Sequence, residues 1–140
     1  MNTDVIRSFS GLHDELTNKV LRVFYGVYNE LGHGFLESVY HEAMRIALQQ
    51  EGMQVGTQVP ILVYFRGHQI GTFKADLIVN DRVLIELKSL SVLDRSCEAQ
   101  VLHYLQATHL EVALLLNFGP RPAIKRFILN NEKKKIRVHP

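Results

Sequence analysis

The 140-residue sequence predicts an α/β domain in which helices flank a central mixed sheet. Two observations lead to this class. Apolar residues recur at helical spacing in three segments, and elsewhere they alternate or run together as they do in strands. The hydrophobic content of 46% is enough for one core. We therefore expect a single domain over residues 1–140, with a core over about 14–118 and a basic C-terminal strand or tail over 119–140.

Three helices are predicted by stripes of apolar residues. Over 14–31 these residues follow one another at spacings of three and four, and Gly32 is a typical C-terminal stop. The same spacing returns over 36–50 and ends near Gly52. A third helix is predicted over 94–108, where one side carries Cys97, Val101, Tyr104, Leu105 and Thr108.

Strand-like runs fill the rest of the sequence. The segments 54–59, 61–66, 69–80 (with a break near Gly71) and 83–89 predict an antiparallel meander of three or four strands. After the third helix, the run VALLLNF is typical of a strand that is covered on both faces. The stretches AIKRFIL and KIRVH predict one or two last strands.

The apolar pattern also predicts how the strands on either side of residues 80–82 pair. Both strands can bury their apolar faces against one layer if Val79 pairs with Val83. These faces consist of Ala75, Leu77, Val79, Val83, Ile85 and Leu87. The same pairing places Asp76 opposite Glu86, with Lys88 two residues further along the same face.

Two opposed carboxylates at Asp76 and Glu86 need an explanation, because cross-strand β-carbons are only about 4.5–5.5 Å apart and like charges repel. A divalent cation would resolve the conflict, and carboxylate oxygens suit Mg²⁺ or Mn²⁺. Lys88 could then orient or deprotonate a water, or stabilise charge on a phosphate. The spacing alone leaves a second interpretation open, namely the solvated face of a half-exposed sheet on which Lys88 pairs with the two acids.

Four motifs follow one another along the chain, namely GFLESVY at 34–40, AD at 75–76, ELK at 86–88 and QVLHYL at 100–105. In this order they resemble the PD-(D/E)XK nuclease superfamily. GFLESVY fits the G-x-x-E-x-x-Y pattern of a small family in this superfamily, and QVLHYL resembles the Gln-x-x-x-Tyr motif of RecB-like members. A proline is missing before Asp76, where Lys74-Ala75 stand. The resemblance implies a restriction-endonuclease-like αβββαβ core.

The resemblance also implies a function, which is hydrolysis of a phosphodiester bond by a water that a divalent metal, Mg²⁺ or Mn²⁺, activates. Asp76 and Glu86 would bind the metal and Lys88 would assist the water. Glu37 would be a third, helical metal ligand, and Gln100 would place the water or the phosphate. The supporting residues would be Tyr104, Tyr40 and His41, although aromatic residues at this spacing are more often core.

Charge and composition indicate the partners. Residues 121–140 hold seven Lys or Arg against one Glu, so this end would attract a polyanion such as DNA, although NNEKKK is equally typical of a solvated turn. The alternative function is a non-cleaving nucleic-acid or protein-binding module on the same fold, and analogy with small resolvases suggests a homodimer. The sequence has one cysteine and no zinc-hydrolase histidine motif, leader or long apolar segment, so we expect a cytoplasmic protein without a zinc site.

Overall fold

A computed structural model describes residues 11–135. Its elements follow the predicted order, and a short 3₁₀ helix at Asn131–Lys133 comes last. The predicted strand at KIRVH falls largely outside the described residues. The helices and strands are α1 (Asp14–Leu31), α2 (Glu37–Gln50), β1 (Val55–Phe65), β2 (His68–Val79), β3 (Val83–Lys88), α3 (Arg95–Gln106), β4 (Val112–Phe118) and β5 (Pro122–Ile128).

The five strands form one mixed sheet in the order β1-β2-β3-β4-β5. The first three are an antiparallel meander, as the sequence predicts. β4 pairs with β3 in parallel, and β5 pairs with β4 in antiparallel fashion. Parallel neighbours need a crossover connection, and α3 provides it between β3 and β4. The predicted α/β class with a mixed central sheet is therefore confirmed.

The sheet separates two apolar layers. On one side, α1 and α2 bury Phe24, Tyr40 and Met44 against the sheet, and on the other side α3 buries Val101 and Leu105. Every residue of β4 is buried, which confirms the prediction that VALLLNF is covered on both faces. No helix among residues 11–135 combines the length and the apolar character that crossing a bilayer requires.

β1 differs from its prediction, because it is one strand of 11 residues rather than two runs separated at Pro60. It lies at the edge of the sheet, where a proline can be accommodated because the missing N–H need not remove a ladder bond. The predicted break near Gly71 is a shift of register: Val63 pairs with Gly71 and Tyr64 with Gln69, so Ile70 is an extra residue in β2.

The strand β2 changes faces beside Asp76. The predicted common face of Ala75, Leu77 and Val79 is wrong for Ala75, which packs in the layer of α3, whereas the other two pack in the layer of α1 and α2. Gln58, which lies across from Asp76 in the register, has a left-handed backbone with φ of 48°. Such a residue interrupts the regular alternation of a strand. Asp76 therefore lies where the β1–β2 pair turns from one layer to the other.

Candidate active site

The site is built on the antiparallel pair of β2 and β3. The predicted pairing of Val79 with Val83 is confirmed. Further along, the N–H of Asp76 donates to Oε1 of Glu86 at 3.0 Å, and the N–H of Leu87 donates to Oδ2 of Asp76 at 2.8 Å. Each carboxylate thus accepts a hydrogen bond from the main chain of the opposite strand. This exchange fixes the two acids next to each other.

Burial distinguishes Glu86 from an ordinary surface acid. Glu86 is only 3% exposed, so the interpretation of this face as a solvated one is wrong at this residue. Burial, and then the charge of Asp76, raise the pKa of Glu86 to about 8, although the N–H of Asp76 and the ammonium of Lys88 act in the opposite direction. Burial and the charge of Asp76 therefore favour the protonated form of Glu86 when no metal ion is near.

Lys88 follows at the end of β3 and is half-buried. It forms no hydrogen bond or ion pair with residues 11–135, so the predicted alternative in which it pairs with the two acids is not what the structure contains. Its charge nevertheless lowers the pKa of Glu86. The ammonium is thus close enough to act on the site, and among the described residues it has no hydrogen bond to give up.

Glu37 approaches the same region from α2, of which it is the first residue. It lines a cavity of about 320 Å³ together with Asp76, and the other lining residues are Ser38, His41, Gln58 and Leu87. Glu86 and Lys88 are not among the lining residues, and Glu86 adjoins the cavity through its bond to Asp76. Within the described part of the chain, no three His, Cys, Asp or Glu side chains lie close enough to hold a metal ion. The role of Glu37 as a ligand stays a prediction.

Tyr40 explains part of the G-x-x-E-x-x-Y spacing. Its hydroxyl donates to the carbonyl of Gly32 at 2.6 Å and accepts from the N–H of Phe35 at 3.2 Å, and its ring stacks on Phe118 with centroids 4.0 Å apart. Gly34, between these two anchored residues, has φ of +120°, a conformation that glycine adopts readily. Tyr40 therefore holds the loop before α2, the helix that Glu37 begins, and its predicted support of the site stays a prediction.

His41 contacts the main chain at Asp76. Its Nε2 lies 2.9 Å from the carbonyl oxygen of Asp76. Because a carbonyl can only accept, Nε2 carries the proton and donates it. The side-chain nitrogen of Gln58 lies 3.2 Å from the same Nε2. His41 and Gln58 thus contact each other and the backbone at the point where β2 changes faces.

Gln100 and Tyr104 lie one turn apart on α3, as predicted, and the Gln100 amide donates to the Tyr104 hydroxyl at 3.0 Å. Tyr104 is buried in the layer of α3. Burial, the charge of Glu86 and that of Asp76 raise its pKa, while the bond from Gln100 lowers it. The charges of both acids therefore act on Tyr104, and Gln100 is hydrogen-bonded to this tyrosine.

The basic C-terminal end is partly used inside the protein. Lys125 pairs with Glu98 at 2.8 Å, and Lys134 donates to the carbonyls of Thr108 and Leu110. On β5, Arg126 bonds to the main chain before α1, so it points away from Lys125 as the strand pattern predicts. The described basic residues that stay exposed are Arg121, Lys125, Lys133 and Lys135.

Asn117 is a residue whose role the sequence pattern did not reveal. It pairs with Lys88 across β3 and β4, and it is 3% exposed. Its Oδ1 accepts from the N–H of Leu90 and its Nδ2 donates to the carbonyl of Leu90, both at 2.9 Å. Asn117 thereby fixes the segment that follows Lys88. The available signal was a single polar residue within the apolar run VALLLNF.

Comparison with known families gives one result. A family model described as the PD-(D/E)XK nuclease superfamily matches residues 14–127. The match spans all three helices and four of the five strands, and it reaches into β5. The searches of curated proteins and of solved structures found no match.

Proposed function

The chain belongs to the PD-(D/E)XK nuclease superfamily, and from this membership we propose that it is a metal-dependent nuclease that hydrolyses phosphodiester bonds of DNA with an activated water. The observation that carries the proposal is the acid pair. Asp76 and Glu86 accept hydrogen bonds from each other's strand, and Glu86 is almost fully buried. Because the carboxyl of Glu86 is nearly inaccessible and lies beside a second carboxyl, its ionised form has a raised free energy. Stabilisation of the fold does not explain such an arrangement.

The acid pair fits a hard divalent cation. Mg²⁺ typically takes one or two protein carboxylates and keeps water and substrate oxygens as its other ligands, so two acids suffice. A cation near Glu86 would replace the proton that burial and Asp76 now favour there. Asp76 and Glu86 would hold the ion, and Glu37 would approach it across the cavity. When bound, Mg²⁺ or Mn²⁺ supplies an acidified water and neutralises phosphate charge.

The other residues of the site act on the water and the phosphate. Lys88 has no hydrogen bond or ion pair within residues 11–135, so its ammonium is available to orient the attacking water or to stabilise charge on the phosphate. Gln100, oriented by Tyr104, would position the same groups from α3. His41 holds the carbonyl of Asp76 and so limits the freedom of that carboxylate.

Cleavage of DNA tests the proposal. Purified protein is incubated with branched, nicked and single-stranded DNA in Mg²⁺, in Mn²⁺ and in EDTA. We expect cleavage that needs the metal and that Asp76→Ala or Lys88→Ala abolishes. The matched control is Asp81→Ala, which changes an exposed acid in a turn. Inactivity of the wild type on every substrate with both metals would contradict the proposal.

A second candidate is a non-cleaving nucleic-acid or protein-binding module on this fold. The observation in its favour is that Glu37 does not complete a three-residue metal cluster with the acid pair in the described part of the chain. Such a module would bind DNA with steep salt dependence. Asp76→Ala would then leave binding intact or strengthen it, since it removes negative charge, and no metal would promote cleavage.

A homodimer is part of the proposal, and a groove between α1 and α2 is the surface that suits it. The groove has a volume of about 650 Å³, and its lining includes Arg22, Gly26 and Glu30, which recur every fourth residue on α1. Two antiparallel copies that cross at Gly26 would place Arg22 of each against Glu30 of the other. We expect Arg22→Glu to shift sedimentation towards the monomer and Arg22→Glu with Glu30→Arg to restore the dimer. A wild-type monomer at high concentration would exclude this interface.

A further inference from the structure

The hairpin of β1 and β2 extends beyond the rest of the sheet. β2 pairs with β3 only over Leu77–Val79, whereas its residues 68–74 pair with β1 alone. Because β1 is the edge strand, residues 60–74 form a two-stranded ribbon, and no other strand among residues 11–135 lies beside it. We refer to residues 60–74 as the ribbon.

The ribbon carries apolar side chains that the fold leaves in solvent. Phe65 is 55% exposed and Ile70 is 64% exposed, and Leu62 and Phe73 are also exposed. Exposed apolar groups on an edge ribbon favour aggregation, and a two-stranded hairpin gains little stability from them. Their grouping on one element therefore indicates a contact surface.

Charge indicates the kind of partner. Residues 52–75 contain no Asp or Glu, and the ribbon carries Arg66, His68 and Lys74. The guanidinium of Arg66 lies over the Phe65 ring, 4.9 Å from its centroid. Exposed aromatic rings among basic groups suit nucleic acid in which unpaired bases stack on the rings and phosphates contact the cations. An acidic protein surface would match the charge but gives no reason for the aromatic rings.

The ribbon leads directly into the acid pair. The Phe73 ring lies 5.7 Å from that of Tyr104, to which Gln100 is hydrogen-bonded. Lys74 is exposed and stands two residues before Asp76 on the same strand. A nucleic-acid strand that lies along the ribbon towards β3 would therefore reach Asp76.

We propose that the ribbon is an arm that binds a single-stranded segment of nucleic acid, with unpaired bases stacked on Phe65 and Phe73 and phosphates against Arg66. This assignment takes the class of substrate from the proposed function and rests on it in that respect. It adds the position of the substrate on the protein and the inference that the bound part is unpaired. Duplex DNA offers no free base faces to the rings, so it binds the arm more weakly.

Binding without cleavage tests the arm. Fluorescence anisotropy is measured in EDTA with fluorescein-labelled oligo(dT) and with a labelled duplex of equal length. We expect Phe65→Ala to weaken oligo(dT) binding by about 5- to 150-fold, the range that loss of one stacked base gives, and to change duplex binding much less. Phe65→Trp keeps a stacking face and retains the affinity. Arg66→Gln lowers the slope of log affinity against log salt by about 0.7.

A matched pair of isoleucines separates the arm from general surface effects. Ile70→Ala on the ribbon should weaken oligo(dT) binding, whereas Ile46→Ala, an exposed isoleucine on α2, should not. Thermal melting of each variant checks that it is folded. Unchanged oligo(dT) affinity in Phe65→Ala and Ile70→Ala, or a wild type that binds neither probe, would overturn the proposal. A change in sedimentation with unchanged oligo(dT) affinity would assign the ribbon to self-association and would overturn it as well.

The two proposals can fail independently. If the wild type binds oligo(dT) through the ribbon but cleaves nothing in Mg²⁺ or Mn²⁺, the proposed nuclease function is contradicted and the proposed binding arm stands. If the wild type cleaves DNA and the ribbon variants bind oligo(dT) as tightly as the wild type, the proposed binding arm is contradicted and the proposed nuclease function stands.

Discussion

Glu86→Gln changes the charge of the acid pair while it keeps the size of the side chain. The amide oxygen can still accept from the N–H of Asp76, which lies 3.0 Å from Oε1 of Glu86, and the amide nitrogen can donate to the carboxylate of Asp76. The variant therefore resembles the wild type with Glu86 protonated. The difference between the two proteins isolates the free energy of ionising Glu86.

The magnitude follows from the pKa of Glu86, which burial and Asp76 raise from 4.5 to about 8. Between these values the folded protein keeps a proton that the unfolded chain releases, so the free energy of unfolding falls as the pH rises. The fall is at most about 1.4 kcal/mol per pH unit. From about pH 6 to about pH 8, the wild type should lose about 2 kcal/mol relative to Glu86→Gln, which corresponds to a change of roughly 5 °C in the difference between their melting temperatures.

Thermal and urea unfolding in EDTA at a series of pH values measure this difference. Other titrating groups are common to both proteins and cancel in the comparison. We expect the variant to be the more stable protein at the alkaline end and the advantage to shrink as the pH falls. A stability difference that stays constant across this range, or one that grows towards acid, would refute the assignment of a proton to the buried carboxyl.

The remaining predictions concern the metal, the lysine and two polar anchors. Saturating Mn²⁺ at about pH 8 should raise the melting temperature of the wild type but not of Glu86→Gln, as measured by differential scanning fluorimetry, since a ligand stabilises only the state that binds it. Lys88→Met should abolish cleavage and leave the melting temperature within about 2 °C, because Lys88 has no hydrogen bond within residues 11–135 to lose. Asn117→Asp should lower the free energy of unfolding by about 2 kcal/mol or more in urea titrations, because a carboxylate would replace the amide that donates to the carbonyl of Leu90. Tyr40→Phe should cost about 1–3 kcal/mol in the same titration and reduce cleavage, because two main-chain groups of the loop before α2 lose their partner.

The helices and the register were predictable because the apolar pattern determines them. α1 spans the predicted residues, and the pairing of Val79 with Val83 follows from burying both apolar faces on one side. This register was enough to bring Asp76 and Glu86 together. Neither result needs knowledge of distant contacts, since each depends on spacing within one segment or across one turn.

The change of faces at Ala75 was not predictable from the alternation rule. That rule assumes regular strand geometry, and here Gln58 on the neighbouring strand adopts a left-handed backbone. The strand boundary predicted at Pro60 was wrong for a related reason. A proline is tolerated within β1 because β1 is an edge strand, and this position is a property of the assembled sheet. Such features arise from the arrangement of several strands.

Hydrogen bonds between residues that are far apart along the chain could not be predicted from the sequence either. Asn117 fixes Leu90 from 27 residues away, and the hydroxyl of Tyr40 bonds to a loop whose path depends on α1 ending at Leu31. The motif identified Tyr40, but a single sequence cannot separate a packing tyrosine from one with a bonded hydroxyl. The hydrogen-bond partners of Asn117 and Tyr40 are main-chain groups, whose presence does not depend on residue type.

The two hydrogen bonds that cross between β2 and β3 also provide a way to observe the charge of Asp76 and Glu86. The amide protons of Asp76 and Leu87 each point at a carboxylate oxygen of the opposite strand. An amide proton in such a bond moves downfield in an NMR spectrum when its acceptor gains negative charge. Two backbone resonances therefore follow the charge of the acid pair as a proton or a cation binds there, with no substrate or mutation.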